Sequence, residues 1–370
     1  MGVQLPHLSK TETQASLLEL EALVSSLSIQ VEGHMVVSLR SPHPRYLLGT
    51  GKALQIQEMA AARGIDLIVF DESLSPSQQK NWEQLTHACV IDRQEVILEI
   101  FADRAHTREA QLQVELARME YSLPRLTRKW THLSRQRGGA RGTRGEGETQ
   151  LELDRRKVLH RIQKCKRELQ WVEAQRKVQR GRRIKTGVLQ GSLVGYTNAG
   201  KSSLLNLLTG SEVLVQDALF ATLDPTTRRL YLPQRGEFLL LSDTVGFIQR
   251  IPPELIAAFK ATLEETILSD FLIHVVDASS KELYRQALTT RAILRDIGVE
   301  DKPVITVLNK IDLVADRAEL KQKARDFPNS VLVSTKTKEG KEDLLQALLQ
   351  LSLQIEEGEE WIEPSLAAIE

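Results

Sequence analysis

Cysteine is nearly absent from this 370-residue chain, with two in total, which is too few for a disulfide framework. Cys89 falls in an expected strand and Cys165 on an expected helix seam. Their spacing fits neither a metal site nor a dithiol redox motif, so both read as small core residues. Long apolar runs are missing as well. FLIHVVDAS and PVITVLN are far shorter than the roughly 20 residues that a membrane-spanning helix needs, so no stable membrane insertion is expected. The first residues, MGVQLPHLSKTETQ, lack the apolar stretch of a signal peptide and the Arg-rich character of a transit peptide. Pro6 stands where N-myristoylation requires Ser or Thr. The expectation is a cytoplasmic protein, with peripheral membrane association left open.

Net charge is also missing, since 49 Lys and Arg balance 49 Asp and Glu, but the balance hides a separation along the chain. From residue 125 to residue 185 there are 20 Lys or Arg against 6 Asp or Glu, a local excess of +14. The remainder is correspondingly acidic.

Short apolar strands (MVVSL, LIVF, CVI) alternate with helical stretches up to about residue 104 and predict a small α/β domain with a parallel sheet, 1–104. Ala105, Leu112, Leu116, Met119, Leu123, Leu126, Trp130 and Leu133 then recur at helical spacing, with Pro124 as an expected kink. After a glycine-rich break, Leu151, Val158, Ile162, Cys165, Leu169 and Val172 repeat that seam. Together they predict an antiparallel helical hairpin over 105–187, closed by Gly187. Strands and helices alternate again over 188–355, as in a doubly wound sheet, and an acidic tail, 356–370, carries no structural expectation.

The second α/β segment contains Gly195-x-x-x-x-Gly200-Lys201-Ser202 between an apolar strand and a helix. Glycines at this spacing let backbone amides surround a phosphate. Lys201 would neutralise the β- and γ-phosphates, and Ser202 would ligate Mg²⁺. In FLLLSDTVGF, Asp243 ends a strand where its carboxylate can hold Mg²⁺, and Gly246 can offer an amide to a third phosphate. FATLDPTTRR lies between them. Thr222 is the preferred switch residue completing the Mg²⁺ shell, with Thr226 and Thr227 as rivals. Asn309-Lys310-Ile311-Asp312 follows PVITVLN. The Asp312 carboxylate can accept both N–H groups on the guanine edge, which adenine lacks, and this favours GTP over ATP. Ser334-Thr335-Lys336 ends another strand where an amide could meet the guanine oxygen.

These motifs resemble the Obg-like and Era-like branch of translation-factor GTPases. Together with GTGKALQI upstream and the loop GGARGTRGEGETQLELDRR, they are most similar to the HflX family over about 20–355. The resemblance implies nucleotide contacts from Gly195, Tyr196, Thr197, Asn198, Ala199, Gly200, Lys201, Ser202 and Ser203, and from Phe220, Ala221, Thr222, Leu223 and Asp224. It implies further contacts from Asp243, Thr244, Val245 and Gly246, from Asn309, Lys310, Ile311 and Asp312, and from Ser334, Thr335 and Lys336. Lys201, Thr222, Gly246 and Asn198 would act in hydrolysis, and Ser202, Thr222 and Asp243 would hold Mg²⁺. Some members carry an additional C-terminal domain, and here only the acidic tail follows the last motif.

Phe247 occupies the place where many GTPases carry a water-orienting Gln, so unaided turnover is expected to be slow. Asn198 stands where related GTPases hold K⁺, and it is equally a residue that suits a turn. The stretch from Arg125 to Arg144, with Trp130 and His132 among Arg128, Lys129, Arg135, Arg137 and Arg141, suits a phosphate backbone. Glu146, Glu148 and Glu152 suggest a tip shaped for one place. The resemblance implies the large (50S) ribosomal subunit and its rRNA as partner, with no DNA expected, and a role in ribosome splitting or biogenesis. The alternative is a regulatory GTPase whose hairpin binds a protein or an acidic membrane. A second phosphate site at Gly49 to Lys52 competes with a helix-capping turn there, because Tyr46 replaces the first glycine of the motif.

Overall fold

The computed structural model describes residues 1–6, 8–126, 146–184, 187–210, 219–220, 222–250, 260–327 and 329–357. These residues form two compact units, Met1–Asp103 with Gln111–Val172, and Arg104–Ala110 with Glu173–Glu370.

The first unit opens with β1 (Gly2–Gln4) and α1 (Lys10–Ser26). A capping box starts that helix, Glu12 N donating to Ser9 Oγ and Ser9 N to Glu12 Oε2. β2 (Val36–Ser38) pairs with β1 in parallel. α2 (Thr50–Arg63), β3 (Leu67–Phe70), α3 (Pro76–Thr86) and β4 (Cys89–Asp92) follow, and β3 and β4 also pair in parallel. Trp82 is fully buried between Tyr46 and Phe70, and its indole N–H donates to Tyr46 O at 2.7 Å. Truncating such a residue costs about 3–5 kcal/mol, so this cluster carries much of the unit's stability. Cys165 is buried as expected, whereas Cys89 is exposed, because alternation along β4 turns Val90 and Asp92 inward instead.

α4 (Arg93–Arg104) and α5 (Arg108–Ser122) are separate helices. The expected seam therefore starts too early. Ala105 is buried in the break between them, and Leu112 is the first seam residue inside α5. A 3₁₀ turn, Leu123–Arg125, ends the helix at Pro124 instead of kinking it. Trp130, Leu133 and the cationic residues from Arg128 to Arg144 lie outside the described residues. Arg125 belongs to the unit's own framework. It donates to Gln79 Oε1, Leu74 O and Tyr121 O, lies 3.5 Å from Asp92 Oδ2 and stacks over the Tyr121 ring.

α6 (Glu146–Ile184) is tied to α5 by Arg161–Glu115 and Lys166–Glu120 ion pairs, with Ile162 and Cys165 buried.

The second unit contains β5 (Gln190–Val194), α7 (Lys201–Thr209), β6 (Thr226–Leu232) and β7 (Glu237–Asp243). After α8 (Lys260–Leu268) come β8 (Phe271–Asp277), α9 (Leu283–Asp296), β9 (Val304–Asn309), α10 (Arg317–Asp326), β10 (Ser330–Leu332) and α11 (Lys341–Glu357). One six-stranded sheet runs β10-β9-β8-β5-β7-β6, parallel except for β6, which pairs antiparallel with β7 at the edge. β5 and β8 are buried along nearly their whole length, as parallel strands covered on both faces must be, and β8 (FLIHVVD) reads as an apolar run broken only by His274. α11 carries its apolar spacing through Leu344, Leu348 and Leu351 to Glu357, so the first residues of the acidic tail are helical.

Candidate nucleotide site at the carboxyl edge of the sheet

Parallel strands bring their carboxyl ends to one edge, where β5, β7, β9 and β10 deliver the glycine loop, Asp243–Gly246, Asn309–Asp312 and Ser334–Lys336, while the Phe220–Asp224 segment arrives ahead of antiparallel β6. Gly195 follows β5 with φ 148°, and a Cβ on it would sit 2.2 Å from Val275 O of the neighbouring strand. Gly200 precedes α7 with φ 94°, and a Cβ there would meet Asn309 Nδ2 at 2.2 Å. Both positions therefore need glycine for close approach as well as for backbone conformation. Asn198 adopts φ 59°, which its short polar side chain tolerates.

Lys201 is buried and donates to Gly195 O and Tyr196 O at 3.1 and 2.9 Å. Burial lowers its pKa to about 8, with the Asp243 charge acting in the opposite direction. Ser202 Oγ lies 2.6 Å from Asp243 Oδ2 and 2.8 Å from Thr222 Oγ1, which in turn donates to Asp243 Oδ2 at 3.0 Å. Three residues distant in sequence thus bring their oxygens to one point. Thr226 and Thr227 go instead to the start of β6, where Thr227 bonds Ser242.

Asp243 is fully buried. Its pKa is raised by that burial, opposed by Lys201 and by hydrogen bonds from Ser202, Thr222 and Thr244 N. Its second oxygen, Oδ1, is buried without a hydrogen-bond partner among the described residues. An all-oxygen donor set with an unsatisfied carboxylate oxygen is the chemistry that a hard divalent ion such as Mg²⁺ takes.

Behind this point Thr244 Oγ1 donates to Leu193 O, and Val245 is buried. Gly246 packs against the phosphate loop so closely that a Cβ would meet Thr197 Cα at 2.7 Å. Phe247 is buried and runs alongside the loop. Thr197 N donates to Phe247 O and Phe247 N to Gly195 O. Tyr196 adds a bond from Gln249 N to its hydroxyl. Phe220 and Leu223 are buried beside Thr222, and Ala221 lies outside the described residues. The Asp224 carboxylate is committed elsewhere, accepting from His106 N, Thr107 N and Thr107 Oγ1.

Asn309 is fully buried and joins two motifs, with Nδ2 donating to Ala199 O at 2.9 Å and Oδ1 accepting from Thr335 N at 3.3 Å. Lys310 has φ 61° and pairs with Asp277 at 2.8 Å, a partner that the motif reading did not single out. Ile311 is buried. Asp312 is exposed and accepts from Ser334 Oγ at 2.6 Å, which fixes its carboxylate. Lys336 is exposed beside it in sequence, and Ser203 lies half-buried in the first turn of α7.

Three family models cover most of the chain. They are a GTP-binding GTPase N-terminal region at residues 14–102, a GTP-binding GTPase middle region at 104–183, and a 50S ribosome-binding GTPase at 190–310. The GTPase HflX of Akkermansia muciniphila is 52% identical over 351 residues, covering 92% of this chain and 80% of that protein. The chain belongs to the HflX family of GTPases. It binds GTP and hydrolyses it to GDP and phosphate. The HflX of Escherichia coli strain K12 is 44% identical over 93% of this chain and 80% of its own length. Among solved structures, a GTP-binding protein of Sulfolobus solfataricus in complex with GDP is 27% identical, covering 95% of this chain and 99% of that one, with a TM-score of 0.47.

Two features of this HflX-family site were not read from the sequence. Asn309 links the phosphate loop to the Ser334 loop, and Asp224 grips residues 106–107. The Asn309–Ala199 and Asp224–His106 contacts span 110 and 118 residues, and no local spacing reports them. In the first unit, Gly49 caps α2 through its carbonyl, accepting from Ala53 N, and Lys52 turns to Gln55, as a capping turn does. Among the described residues no helix is long and apolar enough to cross a membrane.

Proposed function

We propose that this GTPase works on the large ribosomal subunit, with rRNA as its contact, in ribosome splitting or biogenesis. The observation that carries the nucleotide half is the meeting of Ser202, Thr222 and Asp243 beside a buried Lys201. Ser202, Thr222 and Asp243 would hold Mg²⁺, which when bound neutralises charge developing on the phosphates. Lys201 would leave the carbonyls of Gly195 and Tyr196 for the β- and γ-phosphates. Gly246 would report the third phosphate through its amide, and Asp312 would read guanine from the position Ser334 fixes. The remaining phosphate-loop, Phe220–Leu223, Asn309–Asp312 and Ser334–Lys336 positions would line the nucleotide, whereas the Asp224 carboxylate, held by His106 and Thr107, would not.

Phe247 has no group to orient water and is packed against the phosphate loop, which supports slow hydrolysis until a partner rearranges the switches. Asn198 would offer K⁺ a place beside the phosphates, and hydrolysis rates in KCl above those in NaCl would support that assignment. The +14 stretch from residue 125 to residue 185 supports an RNA partner, since a solvated helical face ordinarily mixes both signs. The family model described as a 50S ribosome-binding GTPase points to the same partner.

Co-sedimentation with purified large subunits tests this reading. Binding should be stronger with a non-hydrolysable GTP analogue than with GDP and should be lost after RNase treatment. Deleting Gly138 to Gly147 should abolish binding while leaving GTP affinity intact, and Lys201→Ala should abolish GTP affinity, leaving the hairpin's subunit binding but removing its dependence on nucleotide. Subunit binding that ignores both nucleotide and RNase would rule the ribosomal role out and favour a protein or membrane partner.

A further inference from the structure

We infer that Asp224 and Thr107 form a latch that positions Thr222, so that the N-terminus of α5 and the switch threonine move together. This rests on the reading of Thr222 as the residue that answers the third phosphate. Asp224 lies two residues beyond Thr222, with buried Leu223 between them, so the segment is short and cannot absorb a displacement of either end. At one end Thr222 Oγ1 sits against Ser202 and Asp243. At the other, Asp224 Oδ2 accepts from His106 N and Thr107 N, both at 3.0 Å, while Oδ1 accepts from Thr107 Oγ1.

The donors are not an accident of one side chain. Two consecutive amides and a hydroxyl converge on both oxygens of one carboxylate, the arrangement that holds an anion at a helix start. Thr107 Oγ1 also accepts from Ala110 N at 3.2 Å, as an N-cap residue does. Residues Arg104–Ala110 pack as part of the nucleotide-binding unit, although by sequence they lie between α4 and α5. α5 is continuous from this junction to Ser122, and the cationic stretch follows it in the chain.

By reciprocity, a triphosphate that fixes Thr222 fixes the helix start, and a force on the helix start biases Thr222. Asp224 and Thr107 are therefore positioning residues for hydrolysis and touch no substrate. Their effect is confined to the triphosphate state.

Five variants test it: Asp224→Ala, Thr107→Ala, the two alanines combined, Thr107→Ser and Thr222→Ala, each in the full chain. Affinities for a non-hydrolysable GTP analogue and for GDP are measured with Mg²⁺ by calorimetry, alongside single-turnover hydrolysis. Asp224→Ala and Thr107→Ala should weaken analogue binding about tenfold and leave GDP within about twofold, since one charge-assisted junction is lost from one state only. Thr107→Ser should restore the wild-type ratio, and the double alanine variant should be no worse than Asp224→Ala alone. Equal losses for GDP and analogue, or additive losses in the double variant, would overturn the latch. If Thr222→Ala lowers analogue binding while the two latch alanines do not, the latch fails alone. If Thr222→Ala itself has no effect, the reading of Thr222 on which the latch rests has failed.

Discussion

Lys201 shows how burial sets the chemistry of one side chain. In the folded protein its ammonium has exchanged water for two carbonyls and a nearby carboxylate, and its pKa drops to about 8 from an ordinary 10.5. A bound triphosphate favours the charged form, so it raises that pKa again. Below about pH 8 the lysine is already protonated and affinity should be flat. As pH rises above 8, a growing neutral fraction must take up a proton on binding. Affinity for a GTP analogue should then fall, by at most about tenfold per pH unit. Calorimetry between pH 7 and 9.5 in buffers of different ionisation enthalpy measures both the decline and the proton uptake. Lys201→Met should bind weakly with no such dependence, and a wild-type affinity constant to pH 9.5 would contradict the assignment.

At the scale of elements, the site is an assembly of strand ends, and Asn309 at the end of β9 is the joint between two of them. Its amide satisfies Ala199 O in the phosphate loop and Thr335 N in the loop after β10, both from a position closed to water. Removing it leaves buried backbone groups unpaired, at about 1–3 kcal/mol each. Asn309→Ala should accordingly weaken GDP and GTP alike, by about ten- to a hundredfold, which paired titrations with the two nucleotides would show. A loss confined to GTP would mean that the joint serves the switches and not the whole cradle. The same reasoning explains why the motif spacing could be read locally while the joint could not. A glycine pattern is written in eight consecutive residues, whereas Asn309 meets Ala199 only once β8 lies between β5 and β9.

For the whole molecule, the buried histidine of β8 links folding to acidity. Burial, and then the charges of Arg291 and Lys201, bring the His274 pKa down to about 3 from 6.5. Between those values the unfolded chain binds a proton that the folded chain refuses, so stability falls as pH drops from about 6.5 toward 3. His274→Leu should flatten this decline in thermal unfolding between pH 6.5 and 4. An unchanged slope would mean that other groups set it.

Most of the fold was legible in the chain. Strands at MVVSL, LIVF and CVI, the phosphate-loop strand and helix, and the doubly wound sheet follow from apolar periodicity and glycine placement, which are local. The break at Ala105, the exposure of Cys89 and the capture of Arg125 by the first unit were not legible, because each depends on what packs against it. Charge segregation, the carboxylate at Asp312 and the absence of a water-orienting group at Phe247 were determined by sequence alone, since residue type fixes them. Tertiary structure decided which threonine meets Asp243, which residue joins the two loops and what Asp224 holds, because these are contacts between segments whose separation along the chain carries no signal of their meeting in space.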